Sequence, residues 1–172
     1  TYLWNTVEQC ENRKNSQVAQ EMVLALPDDK IISLEDKKAL VRSFALKHFV
    51  SKGFGVQIDI HQPDMKEGEG HNWHAHFLIT IRPFNDDGSS FVIRKLREVV
   101  ATIRLGYVVN GINWGEEWTH HLNEYFEQIG ISLRVDPNGV VSQIHLGPVR
   151  MRHRALGLME ENDLRTQFNA LE

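Results

Sequence analysis

The sequence predicts an α+β fold in which helices cover one face of an antiparallel sheet. Three observations lead there. Two alternating apolar/polar segments, Phe54–His61 and His74–Arg82, are joined by the short loop Gln62–Gly70, as antiparallel neighbours are. Two longer apolar stripes of helical period lie outside that pair, at Leu40–Phe49 and Trp114–Ile129. No internal repeat, low-complexity tract or linker interrupts the chain, so a single domain is expected over 1–172, with 132–172 as a weakly ordered or extended tail.

Taken in order, Leu3, Val7 and Cys10 are spaced as one face of a short helix. Met22, Leu24 and Leu26 alternate with Glu21, Val23 and Ala25 until Pro27, which reads as a strand. Ser33 followed three residues later by Asp36 resembles a capping box, and the helix it opens carries Leu40, Val41, Phe44, Ala45 and Phe49 before Gly53. In the next strand Val56, Ile58 and Ile60 oppose Gln57, Asp59 and His61. The strand after the loop has Ala75, Phe77, Ile79 and Ile81 on one face and His74, His76, Leu78 and Thr80 on the other. Asn85-Asp86-Asp87-Gly88 is a turn. A basic segment follows, and then a helix with Trp114, Trp118, Leu122, Tyr125, Phe126 and Ile129 in a stripe that stops at Gly130.

Composition narrows the function. With one cysteine, Cys10, neither an intrachain disulfide nor a cysteine-based zinc cluster is available, which fits a reducing, cytoplasmic setting. No apolar run reaches the length of a membrane span, so no membrane insertion is expected, and the polar start TYLWNTVEQCENRKN predicts no signal peptide. The chain opens on Thr1 rather than Met, which leads us to expect a segment upstream of it. A net charge of −4 argues against non-specific coating of nucleic acid. The local basic clusters Arg94-Lys95-Leu96-Arg97 and Arg150-Met151-Arg152-His153-Arg154 are of a size usually found on solvated faces.

The stretch GHNWHAHFLIT holds three of the nine histidines. Residues two apart on a strand share a face, so His74 and His76 point away from Phe77 and Ile79. An antiparallel neighbour brings His61 alongside. Three imidazoles from two strands form an all-nitrogen site with open positions, suited to Mn, Co, Ni, Cu or Zn rather than Ca. Asp59, on the His61 face, and Glu21, on another strand, are candidates to orient a ligand histidine or a reacting hydroxyl. His71 lies in the entry loop off the strand register and is open to three readings, a ligand substitute, a substrate contact or no role, of which the last is favoured. His120, His121, His145 and His153 show no partner pattern and are read as structural. Trp73 is open to two readings, stacking on a base or packing in the core.

These residues resemble the histidine motif of HUH endonucleases. The segment WNTVEQCENRKNSQVAQEMVLALP, followed by IDIHQPD, GHNWHAHFLITIRPF and QIHLGP, is similar to the MobA/MobL group of conjugative relaxases, which includes TraA-type transfer proteins. The likeness runs from about Leu3 to Arg82, and more thinly through Trp118, Asn123 and Gly130 to Pro148. It implies a palm-like sheet and a bacterial, cytoplasmic enzyme nicking single-stranded DNA at a plasmid transfer origin, with other relaxosome or mobilisation proteins as further partners. It also implies a divalent ion on His61, His74 and His76, Mn or Mg first and Zn, Ni or Co after them. Arg82, Trp73, Arg94 and Lys95 are the candidate DNA contacts. In such enzymes a tyrosine attacks the scissile phosphate, leaving a 5′-phosphotyrosine link and a free 3′-OH. The resemblance places that tyrosine on a helix upstream of Trp4-Asn5, outside this chain. Tyr2 sits at its edge and matches poorly, while Tyr107 and Tyr125 lie downstream. The family's Ile-Asp-His-Arg-Ser stretch corresponds here to a shortened Arg134-Val135-Asp136-Pro137-Asn138.

Three other functions remain open on the residues alone. A replication-initiator-like nickase would use Tyr125, although that residue falls in the apolar stripe. A metal-holding, single-stranded DNA-binding fragment would bind without cleaving. A small-molecule metallohydrolase would need only the three histidines with Glu21 or Asp59.

Overall fold

The computed structural model describes residues 2–11, 13–62, 73–92 and 113–136. The chain divides into two compact units, Thr1–Val135 and Asp136–Glu172. Of the second, only Asp136 is among the described residues, so the tail expected over 132–172 lies outside them beyond that point. His71, Arg94, Lys95, Tyr107, His145, His153 and the Arg150–Arg154 cluster also lie outside them.

Helix α1 (Tyr2–Gln9) is short, and Val7 is its buried residue. Strand β1 (Ala19–Ala25) alternates as its sequence does, with Met22 and Leu24 in and Glu21, Val23 and Ala25 out. Helix α2 (Leu34–His48) starts at Ser33, whose hydroxyl accepts the Asp36 backbone N–H while the Asp36 carboxylate accepts the Ser33 N–H. Asp36 is held below the usual carboxylate range, chiefly by the Ser33 hydroxyl. Its apolar face buries Leu40, Val41, Phe44 and Ala45, followed by Phe49. A 3-10 turn (Val50–Lys52) then ends on Gly53, whose φ of +85° suits a residue without Cβ. Strands β2 (Val56–His61) and β3 (His74–Thr80) follow, and then helix α3 (Trp114–Gln128). Asn113 caps α3 by accepting from the Gly115 and Glu116 N–H groups. Residues 131–136 run without regular structure. Asn123 pins them by donating to the Val135 carbonyl and accepting the Val135 N–H, both at 2.8 Å.

The sheet order is β1-β3-β2, with both pairings antiparallel. The central strand is therefore the one that carries two of the three histidines. On one face Ala75, Phe77 and Ile79 meet Met22 and Leu24 in a core closed by α2 and α3. Phe44 is the hub of that core. Its ring lies 6.2 Å from Phe77 and 5.1 Å edge-on from Trp118, and the Trp118 indole N–H donates to the Ala25 carbonyl. Burying aromatic rings in edge-to-face contact contributes about 0.5–1.5 kcal/mol per pair beyond area burial.

One helix departs from the one-sided covering expected. α1 lies on the opposite, histidine-bearing face, where Trp4 hydrogen-bonds Gln57. A Cβ added at Gly55 would meet Thr80 Cγ2 at 3.2 Å and Leu3 Cδ1 at 3.3 Å, so the absent side chain lets α1 approach the sheet closely. An amphipathic stripe says that a helix buries a face, but not against which side of a sheet.

Candidate metal centre

The site grows from strand parity and register. His61 pairs directly with His74, and Asp59 with His76, across the β2–β3 ladder. His74 and His76 project to one side because alternate residues on a strand share a face. The three rings pack with centroids 5.3 Å (His61–His74), 4.7 Å (His61–His76) and 5.0 Å (His74–His76) apart. One ligating nitrogen from each lies within 4.8 Å of the others. A transition metal takes nitrogen from imidazole at roughly 2.0–2.1 Å, so holding one would draw the three rings closer together. Among the described residues this is the one group of three or more His, Cys, Asp or Glu side chains that so converges. His61 is exposed and the other two are half-buried, so the side away from the sheet is open.

Glu21 sets the state of one ligand. It sits on β1, and its Oε1 lies 2.6 Å from His76 Nδ1. A carboxylate only accepts, so Nδ1 carries the proton in that bond and Nε2 keeps the lone pair for a cation. On the other side, Gln57 Nε2 donates to Asp59 Oδ2 at 2.7 Å, and the Trp4 indole N–H donates to Gln57 Oε1 at 2.6 Å. The donor set fits a divalent metal: three nitrogen ligands, a carboxylate orienting one of them, and an open outer side.

The remaining sequence candidates fall elsewhere. Trp73 is only 5% exposed and belongs to the core. Its ring is faced by Lys37 Nζ at 4.5 Å, and its carbonyl accepts the Leu26 N–H. Lys37 is itself fully buried, paired with Asp29 at 2.7 Å and bonded to the Ile32 carbonyl. Of the two readings of Trp73, packing is therefore the one realised. Strand parity explains this, since Trp73 falls in step with Ala75 and Phe77. Arg82 is engaged by Glu11 at 2.7 Å, and that bond raises its already high pKa. Its guanidinium also reaches the Val92 carbonyl. Arg82 thus ties α1's end to the strand rather than presenting a free cation.

Tyr125 is on α3, on the core side of the sheet. Its hydroxyl donates to Asp36 Oδ1 at 3.3 Å, and burial together with the Asp36 charge pushes its pKa up. Tyr2 opens α1 and is 87% exposed. Sequence reading missed Trp4 and Gln57, although Gln57 has the parity of Asp59 and His61. It also missed the partly buried pair Ser43–His121, in which Oγ and Nε2 lie 2.8 Å apart.

With this geometry in place, comparison with known proteins is informative. The profile of the MobA/MobL family matches residues 1–150. The chain belongs to the MobA/MobL family. It is 30% identical over 164 residues to the conjugal transfer protein TraA of Agrobacterium fabrum (strain C58), an alignment covering 84% of this chain and 14% of that protein. The TraA of Rhizobium radiobacter is 29% identical over 165 residues, again covering 84% of this chain and 14% of the relative. The chain thus spans about one seventh of the length of these relatives. Among solved structures, the conjugative relaxase TrwC in complex with oriT DNA, in metal-free form, aligns with a TM-score of 0.48 at 15% identity. That alignment covers 93% of this chain and 68% of TrwC. Among the described residues no helix is long and apolar enough to cross a membrane.

Proposed function

We propose that this chain is the metal-holding part of a relaxase domain that nicks and transfers single-stranded DNA at a plasmid origin of transfer. The observation that carries the reading is the convergence of His61, His74 and His76 from two paired strands onto one open face. Membership of the MobA/MobL family and the likeness to TraA conjugal transfer proteins supply the substrate class.

In this reading the three histidines hold one divalent cation, Mn or Mg first, with Zn, Ni or Co as further fits. When bound, the cation supplies Lewis acidity for charge developing on a phosphoryl oxygen. The chain's own residues do the rest. Glu21 accepts the Nδ1 proton of His76 and so keeps Nε2 available as a ligand. Asp59, directly across from His76, is the acceptor for the proton of a reacting hydroxyl. The hydroxyl itself comes from a tyrosine outside these residues. A covalent phosphotyrosine conserves the energy of the cleaved bond for religation.

Tyr125 is a poor nucleophile in this geometry, because the sheet stands between it and the histidines and its hydroxyl is bound to Asp36. That argues against an initiator-like nickase. The test is cleavage of a labelled transfer-origin oligonucleotide by the full-length protein in the presence of Mn. A covalent protein–DNA adduct that disappears on chelation is expected. Salt-sensitive binding without any adduct would leave a metal- and DNA-binding module instead.

A further inference from the structure

A hydrogen-bonded chain runs from α1 into the metal face, and its direction is set by chemistry. Trp4 Nε1 donates to Gln57 Oε1 at 2.6 Å, and Gln57 Nε2 donates to Asp59 Oδ2 at 2.7 Å. An indole N–H can only donate, so the amide oxygen of Gln57 must face Trp4. The amide nitrogen is thereby turned to residue 59, where a carboxylate accepts it. A flipped amide would set two donors against each other at one end and two acceptors at the other. Both bonds are partly buried, which strengthens them relative to water-exposed ones. Gln57, Asp59 and His61 share one strand face, with Asp59 opposite His76.

We infer that Trp4 and Gln57 are positioning residues that hold the Asp59 carboxylate beside the histidine triad. Committing Oδ2 to Gln57 fixes the plane of the carboxylate and leaves Oδ1 as the acceptor for a reacting hydroxyl. The second bond separates this role from simple packing. A side chain needed only to satisfy the indole would not have to reach residue 59 as well. The use made of Asp59 rests on the relaxase reading, whereas the chain of bonds and its polarity do not. One consequence is that α1 and the carboxylate are coupled: a shift of the helix that breaks the first bond frees the Gln57 amide to turn.

The experiment has two arms. In the full-length protein, Trp4→Phe keeps the ring and removes the donor, and Gln57→Met keeps the length and removes both bonds. Each is expected to lower kcat for oligonucleotide cleavage about tenfold, the scale of one hydrogen bond to a charged group. KM and Mn affinity should stay within about twofold, and the double variant should be no worse than either single one, because one chain is being cut twice. Unchanged kcat in both variants, or kcat lost together with Mn affinity, would overturn the inference. If the wild-type protein forms no DNA adduct, the relaxase reading fails by itself, and the second arm decides the relay. In the 172-residue chain, Asp59→Ala should shift the Trp4 indole N–H resonance and speed its hydrogen exchange, while His61→Ala should not. A Trp4 signal indifferent to Asp59→Ala would sink the relay.

Discussion

β3 faces two different environments with alternate residues. Ala75, Phe77 and Ile79 are almost wholly removed from water under α2 and α3, in an aromatic cluster centred on Phe44. One residue out of step, His74 and His76 stand on the other side with His61, partly open to solvent, with Glu21 bonded to His76. The first face spends apolar area on stability. The second sets three imidazoles side by side, an arrangement that makes sense as a place for a cation. Stability and function are thus separable by strand parity, and substitutions on the two faces should have opposite signatures.

The largest effect is expected on the core face. Phe44→Ala removes the ring against which Phe77, Trp118 and His121 pack. It should cost about 3–5 kcal/mol in denaturant unfolding. On the histidine face, His74→Ala or His76→Ala should abolish tight Mn binding in a calorimetric titration while leaving the denaturation midpoint nearly unchanged. Loss of fold in those variants would erase the distinction between the faces. A smaller effect belongs to the residue behind the ligand. Glu21→Ala should weaken metal binding by roughly 10–100-fold without removing it, as the loss of an orienting carboxylate does.

A pH effect sharpens the comparison from the core side. Burial lowers the pKa of both His48 and His121, the first because its ring is packed among Phe44, Phe49 and Trp114, the second because it lies under α2 beside Ser43. The unfolded chain, with histidines near about 6.5, takes up protons before the folded one does. Stability from these groups is therefore fully present above that value and is lost as pH falls through the lowered folded values. The double variant His48→Gln/His121→Gln should flatten the fall in unfolding free energy between neutral and mildly acidic pH. The smallest effect is at the α2 cap, where Ser33→Ala should cost about 1 kcal/mol in thermal or denaturant unfolding and leave metal binding untouched.

Much of this was legible in the residues. Parity alone separated His74 and His76 from Phe77, and the Ser33–Asp36 spacing marked the start of α2. The same parity could have placed Trp73 in the core. Its place as an aromatic residue between His71 and His74 kept a base-stacking reading open beside the core one. Other features depended on contacts remote in sequence. Arg82 is matched by Glu11 and Trp4 by Gln57, and nothing local in either segment announces the other. Nothing in the residues around Lys37 announces its burial, and only the folded chain brings Asp29 and the Trp73 ring around it. The placement of α1 on the histidine face also needed the tertiary structure, because its stripe fits either side of a sheet equally well.

The central claim is that His61, His74 and His76 share one cation and that the nearer His71 does not. Manganese titration of the four single alanine variants, followed by the electron paramagnetic resonance of free Mn, tests it directly. Binding should be lost in His61→Ala, His74→Ala and His76→Ala and retained in His71→Ala. Full binding in any of the first three, or its loss in His71→Ala, would contradict the account.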